Sequence, residues 1–344
     1  MSILEKEILQ QPKVIKRLLE MESDHVANLT KKLIGRFEYI MIAARGTSDN
    51  AARYAQYLFG ARNRLPVGLA TPSLFTLYKT PPSLSGALVI AISQSGQSPD
   101  IIEVIAEGKR QGRPTLAIVN HQDSPLASLA DDVILLHAET EQAIAATKTY
   151  TASLAAMALL STALQNDSQA YLELCKVPDW IEHTFDMVEP ILNRVERYRY
   201  MTHCAVIGRG YNYSTAFEIA LKIKELTQTI AEPYSSADFR HGPIAMVRNG
   251  FPIILVAPLG FVHQDLKDLV QELRLFDSEM LIISDDEDLL NHAHFSLPIP
   301  TGIPEWLSPL ITVIPGQLFS LRLAISKGLD PNQPEGLTKV TRTL

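Results

Sequence analysis

Short apolar runs of strand length, each followed by a longer helical or polar segment, constrain this chain more than any other feature. Residues 39–44, 66–70, 87–92, 115–119 and 132–136 are such runs, and the stretches between them carry helical spacing or turn residues. Strands alternating with helices in this way pair in parallel and are covered on both faces. A long helix over 147–165 closes the unit. The plan then recurs, with a strand at 204–208, a turn at 209–212 and a helix at 214–227. The runs at 251–257, 279–283 and 295–298 echo those at 87–92, 115–119 and 132–136. The sequence therefore predicts an α/β protein with two tandem, doubly wound parallel sheets flanked by helices. Its divisions are a helical segment (1–34), a first α/β domain (35–166), a helical connector (167–200), a second α/β domain (201–330) and a tail (331–344). Residues 231–243 read as irregular.

At 344 residues the chain is long enough to bury two cores, and 46% hydrophobic with 20% charged residues is the balance of a soluble globular protein. A formal net charge of −7 with no basic cluster argues against a nucleic-acid partner. The N-terminus mixes charge into an amphipathic pattern, unlike a signal or transit peptide, so a cytoplasmic location is expected. Residues 150–164, the longest weakly polar stretch, are too few and too rich in Ser, Thr and Ala to span a bilayer, and no membrane partner is expected. Cys175 and Cys204 read as reduced core thiols. His292 and His294 have no third ligand near them in sequence, so no metal site is expected.

The candidate binding loop is Ser93-Gln94-Ser95-Gly96-Gln97-Ser98, between the strand at 87–92 and a helix at 101–112. The first amides of such a helix lack carbonyl partners and favour an anion. Ser93, Ser95 and Ser98 add hydroxyls, Gly96 permits close approach, and Pro99 suits a first helical turn. With no lysine in the loop, the cup suits a monophosphate better than a nucleotide. Thr47-Ser48 lies at another strand end, and Thr147-Lys148 follows the last strand of the unit, so three hydroxyl-bearing turns point to a phosphosugar pocket. In the second copy the place of the cup is taken by Pro258-Leu-Gly-Phe-Val-His, without hydroxyls. One phosphate site per chain is expected, in the first copy. In the second, Glu218, Lys222 and Glu225 share one helix face, and His241 is held before Gly242-Pro243, an arrangement suited to acid/base work.

Together, Arg45-Gly-Thr-Ser, Ser93-Gln-Ser-Gly-Gln-Ser, Ala146-Thr-Lys, Glu218-x3-Lys-Ile-Lys-Glu225, Ser235-Ser-Ala-Asp-Phe-Arg-His-Gly-Pro and Asp330-Pro-Asn-Gln-Pro-x2-Leu-Thr-Lys339 resemble the sugar isomerase (SIS) family. They are most similar to the isomerase half of the glucosamine-6-phosphate synthases, from about residue 35 onward. The length and the ending Lys-Val-Thr-Arg-Thr-Leu look most like the stand-alone SIS-type glucosamine-6-phosphate deaminases. The resemblance implies that Ser48, Ser93, Gln94, Ser95 and Ser98 hold the phosphate and nearby sugar oxygens, with Gly46, Thr47, Ala145 and Thr147 lining the same substrate site. The family has threonine where this chain has Ser98, which keeps the hydroxyl. Glu225 matches the base that moves a proton between C1 and C2, His241 the residue that opens the pyranose ring, and Lys339 a lysine able to form an imine with the open-chain sugar. Glu218 and Lys222 match supporting groups. The counterpart of His241 reaches a neighbouring subunit's site, which implies a homodimer with shared active sites.

The synthases join this half to a glutamine-hydrolysing domain with an N-terminal cysteine nucleophile, whereas here Ser2 follows Met1 and a short helical segment precedes the first strand. The expected reaction is therefore hydrolysis of glucosamine 6-phosphate to fructose 6-phosphate and ammonia, without metal or organic cofactor. The alternatives are a deglycase for a 6-phosphorylated fructose-amine such as fructoselysine 6-phosphate, a deaminase for another amino sugar phosphate, a synthase subunit served by a separate glutaminase, and a catalytically silent sugar-phosphate sensor.

Overall fold

The computed structural model describes residues 1–339, in two compact units that interleave along the sequence. One comprises Lys13–Gln142, Lys148–Lys176 and, among the described residues of the tail, Thr338 and Lys339; the other comprises Met1–Pro12, Ala143–Thr147 and Val177–Leu337. This division does not follow the consecutive one read from the sequence. Of the terminal Lys-Val-Thr-Arg-Thr-Leu, all but Lys339 lies outside the described residues.

The first unit holds β1 (Tyr39–Ala43), β2 (Val67–Leu69), β3 (Ala87–Ser93), β4 (Thr115–Val119) and β5 (Asp132–Leu135), paired in parallel in the order β2-β1-β3-β4-β5. The second holds β6 (His203–Gly208), β7 (Ile230–Ser235), β8 (Pro252–Val256), β9 (Glu279–Ser284) and β10 (Phe295–Pro298), in the order β10-β9-β8-β6-β7. β3 and β4 are buried along their whole length, as strands covered on both faces must be. The winding direction reverses between β1 and β3 in one sheet and between β6 and β8 in the other, where open α/β sheets leave a crevice beyond the strand ends.

Two segments depart from the sequence reading. Residues 230–235, read as irregular from 231, form β7, which pairs with β6 from His203↔Ile230 to Gly208↔Ser235. β7 is an edge strand: Ile230 and Glu232 are exposed around a buried Ala231, and Pro233 sits where a missing N–H is tolerated. It contains no apolar run to read. A short helix, Ser236–Arg240, follows it.

The second departure is the helix Ser308–Ser326, the counterpart of Lys148–Gln165, which the sequence reading passed over. Pro309 falls in its first turn, where proline costs nothing, but Pro315 and Gly316 lie inside it and read as breakers. Tertiary packing overrides them. The span Glu305–Ser326, longer and more apolar than 150–164, meets the length and composition of a membrane-crossing helix, yet 89% of its most apolar window is buried within the protein. A Cβ on Gly316 would lie 2.4 Å from Cγ1 of Ile219, so the glycine sets how closely this helix approaches the helix Tyr213–Thr227.

Cys204 on β6 is buried, and burial pushes its thiol up to about 12. Cys175, expected in the core, is instead exposed at the end of the helix Ser168–Leu174. A thiol reagent at pH 8 is therefore expected to label Cys175 in the native protein and Cys204 only after denaturation. Rapid native labelling of both would contradict this assignment of burial.

Candidate active site

The serine loop leaves the buried end of β3 and enters the helix Pro99–Arg110. Ser93 Oγ accepts from the Gly96 amide at 3.1 Å and Ser95 Oγ from the Gln97 amide at 3.3 Å, so both hydroxyls keep their protons for an incoming oxyanion. Ser98 is the N-cap of the helix but gives its hydroxyl to none of the helix amides. Gly96 has φ +63°, and a Cβ there would come within 2.3 Å of Ser124 Oγ. Only glycine fits that turn. The carbonyls of Gln94 and Gly96 accept from the amides of Asn120 and Leu126, which fixes the loop's far side.

Beside it, β1 pairs with β3 in a register that sets Ala43 opposite Ala91, so residues 44–46 leave the sheet next to the start of the serine loop. The following helix is Thr47–Asn63, with Thr47 and Ser48 in its first turn. Gly46 precedes it at φ +54°. Gly46, Thr47, Ser48, Ser93, Gln94, Ser95 and Ser98 thus surround the two neighbouring strand ends at the reversal point of one sheet. Ala145 and Thr147 are buried and belong to the segment Ala143–Thr147 of the other unit. Lys148 is buried at the start of its helix and donates to the Thr140 carbonyl at 3.1 Å.

The corresponding loop of the second unit is filled by the protein itself. The Glu305 carboxylate accepts from the Phe261 amide at 2.9 Å, and a Cβ on Gly260 would lie 2.4 Å from its carboxyl carbon. Gly260 follows Gly96, and Asn212 follows Ser48, at the same interval that separates the two repeats. Asn212 is buried and committed, donating to Ser308 Oγ at 2.7 Å and accepting from Thr312 Oγ1 at 2.7 Å and Thr215 Oγ1 at 3.1 Å. Lacking hydroxyls and holding a carboxylate, this loop has no place for a second phosphate.

On the helix Tyr213–Thr227, Lys222 Nζ lies 2.5 Å from Glu225 Oε2 and 3.4 Å from Glu218 Oε1. Glu218 and Lys222 have 0% and 1% of their side chains exposed, against 22% for Glu225. This is no solvated stripe: a buried cation is held between two carboxylates, of which only Glu225 opens to the outside. A carboxylate placed so, with a fixed cation against one oxygen, can take and return a proton. His241, at the end of Ser236–Arg240, is exposed, and its imidazole makes no hydrogen bond or ion pair with other described residues.

Lys339, next to the chain end, is not a free solvated side chain. Its Nζ is 3.1 Å from Glu141 Oε2, and Glu141 is fully buried, also accepting from the amide of Thr149 and, at 2.7 Å, from its hydroxyl. Sequence reasoning missed Glu141. Its one signal is its place just before Ala145-Ala-Thr147-Lys. Among the described residues no group of three metal-ligating side chains occurs, and His294 Nδ1 accepts from the Met280 amide.

A family model described as SIS domain matches residues 37–163 and again 201–327. The glutamine–fructose-6-phosphate aminotransferase (isomerizing) of Thermus thermophilus is 32% identical over 349 residues, an alignment that covers 97% of this chain and 58% of that protein. The chain thus spans a little over half the length of the curated relatives it matches. Among solved structures, the C-terminal domain of glucosamine-fructose-6-phosphate aminotransferase from Francisella tularensis superposes with a TM-score of 0.87 at 27% identity, covering 97% of this chain and 98% of that one. Glucosamine-6-phosphate deaminase from Thermotoga maritima superposes at 0.78 with 22% identity, covering 99% and 100%, a likeness of fold alone.

Proposed function

The chain belongs to the SIS domain family, and we propose that within it the protein is a phosphosugar isomerase acting on an amino sugar, converting glucosamine 6-phosphate and water to fructose 6-phosphate and ammonia. The observation that carries the reading is the Glu218–Lys222–Glu225 group, with two members sealed in the core and the third open to a ligand. In the proposed course the serine cup holds the ester and His241 relays the ring-oxygen proton to free the C1 aldehyde. Glu225 removes the C2 proton and returns it to C1, which turns the amine-bearing C2 into an imine. Lys339 adds to that carbon, ammonia leaves, and water releases the ketose from the lysine imine. Glu141, already bonded to the Lys339 ammonium, is placed to take its proton when the amine attacks.

The exposure of His241 supports a role toward a second copy, and we place the protein as a homodimer, which sedimentation equilibrium at twice the chain mass would bear out and a monomer mass would refute. A second reading, the isomerase part of a glutamine-dependent synthase, is favoured by the near-complete coverage of this chain by aminotransferase relatives. Incubation with glucosamine 6-phosphate, following ammonia and fructose 6-phosphate, decides between them. Release of both supports the deaminase. Absence of release, with glucosamine 6-phosphate formed from fructose 6-phosphate once a glutaminase and glutamine are supplied, supports the synthase part. Turnover of fructoselysine 6-phosphate alone would transfer the protein to the deglycases.

A further inference from the structure

The serine cup contains no cation of its own, yet a phosphate monoester arrives with nearly two negative charges. A candidate cation beside it is Arg45, in the turn between β1 and the helix Thr47–Asn63. Its Nε donates to Asp100 Oδ2 at 2.8 Å. Asp100 is the second residue of the helix that follows the cup; it is fully buried, and its Oδ1 accepts from the Ile101 amide at 3.0 Å. The guanidinium is therefore anchored at the same helix N-terminus that faces the anion. The Arg45 side chain remains 49% exposed, and its two Nη atoms make no hydrogen bond or ion pair with other described residues.

The duplicated half supplies an internal comparison. Arg209 stands where Arg45 does, but its Nη1 donates to Ser236 Oγ at 3.2 Å and lies 3.5 Å from Asp265 Oδ2, and the loop it faces already holds Glu305. In the half that carries a filled loop the arginine is occupied. In the half that carries serines its fork is open.

We propose that Arg45 is a phosphate-binding residue of this protein, completing the serine cup with a guanidinium fork that selects a dianionic phosphate monoester, and that Asp100 is its positioning residue. The inference rests on the reading of the cup as the phosphate site. A fork anchored through Nε presents two parallel N–H groups to two phosphate oxygens, a geometry that a lysine cannot reproduce. The anchoring carboxylate also offsets the arginine's charge in the unliganded protein, so the site is neutral until the ester arrives.

The test is calorimetric titration with glucitol 6-phosphate, which has no carbonyl and cannot react. Arg45→Gln is expected to weaken binding about 10- to 100-fold, and, because it removes the cation bonded to the buried Asp100 carboxylate, also to lower the melting temperature, so the titration is run well below the variant's melting transition. Arg45→Lys is expected to recover only part of that loss. Asp100→Asn is expected to give an intermediate loss and, combined with Arg45→Gln, no loss beyond that of Arg45→Gln alone, since it acts through Arg45; a purely structural effect would add to that of Arg45→Gln. Ser95→Asp serves as the control for the cup. If Ser95→Asp abolishes binding while Arg45→Gln binds within twofold of the parent, the role of Arg45 is refuted and the cup stands. If neither substitution changes affinity, the cup is not the phosphate site and the inference falls with it.

Discussion

Replacing Glu225 with glutamine is expected to lower the turnover of glucosamine 6-phosphate by about 10²- to 10⁴-fold, with little change in the affinity for glucitol 6-phosphate. Glutamine keeps the size of the side chain and can still accept from Lys222, so the helix packing is retained and the lost property is proton transfer. In deuterated water the parent protein should place solvent deuterium at C1 of the fructose 6-phosphate it forms, because a carboxylate open to the outside, as Glu225 is at 22% exposure, exchanges its proton. The substituted protein should form almost none. Turnover within threefold of the parent would remove Glu225 from the chemistry and leave the proposed mechanism without a base.

The second large effect is on stability. Lys222 holds two carboxylates with only 1% of its side chain exposed, and Glu218 has none exposed. Replacing Lys222 with methionine removes the cation from a charge that water cannot reach, and is expected to cost about 3–5 kcal/mol, measured by urea unfolding. Glu218→Gln in the Lys222→Met background removes the stranded charge, and is expected to recover a substantial part of the loss. The double substitution thus separates electrostatics from packing, since both variants share the methionine. A loss below about 1 kcal/mol for Lys222→Met would mean that the pair contributes no more than a surface ion pair does.

Sequence legibility followed the kind of interaction that shapes each element. The inner strands were visible because burial on both faces demands apolar runs, and the repeat was visible because two copies demand them in the same order. β7 was hidden because an edge strand half in water shows neither a run nor a helical period, and Pro233 argues against it. The helix Ser308–Ser326 was hidden by Pro315 and Gly316, whose local cost is outweighed by close packing against Ile219, a contact that only the folded chain reveals. At the candidate site, spacing placed Glu218, Lys222 and Glu225 on one face, but spacing does not report burial. Glu141 and Glu305 are single carboxylates in connecting segments, meaningful only through partners far along the chain, Lys339 and Phe261. The Arg45–Asp100 pair had the same character: two charges with no local pattern, brought together because β1 and β3 lie side by side.

Glu305 has a consequence for how the two repeats could diverge. A tethered carboxylate competes for its amide at a high effective concentration, so free inorganic phosphate gains no foothold there and saturation is expected at one equivalent per chain. In the duplicate the missing hydroxyls and the resident carboxylate act together, so the second repeat keeps the outline of an anion berth while its own side chain takes the guest's seat.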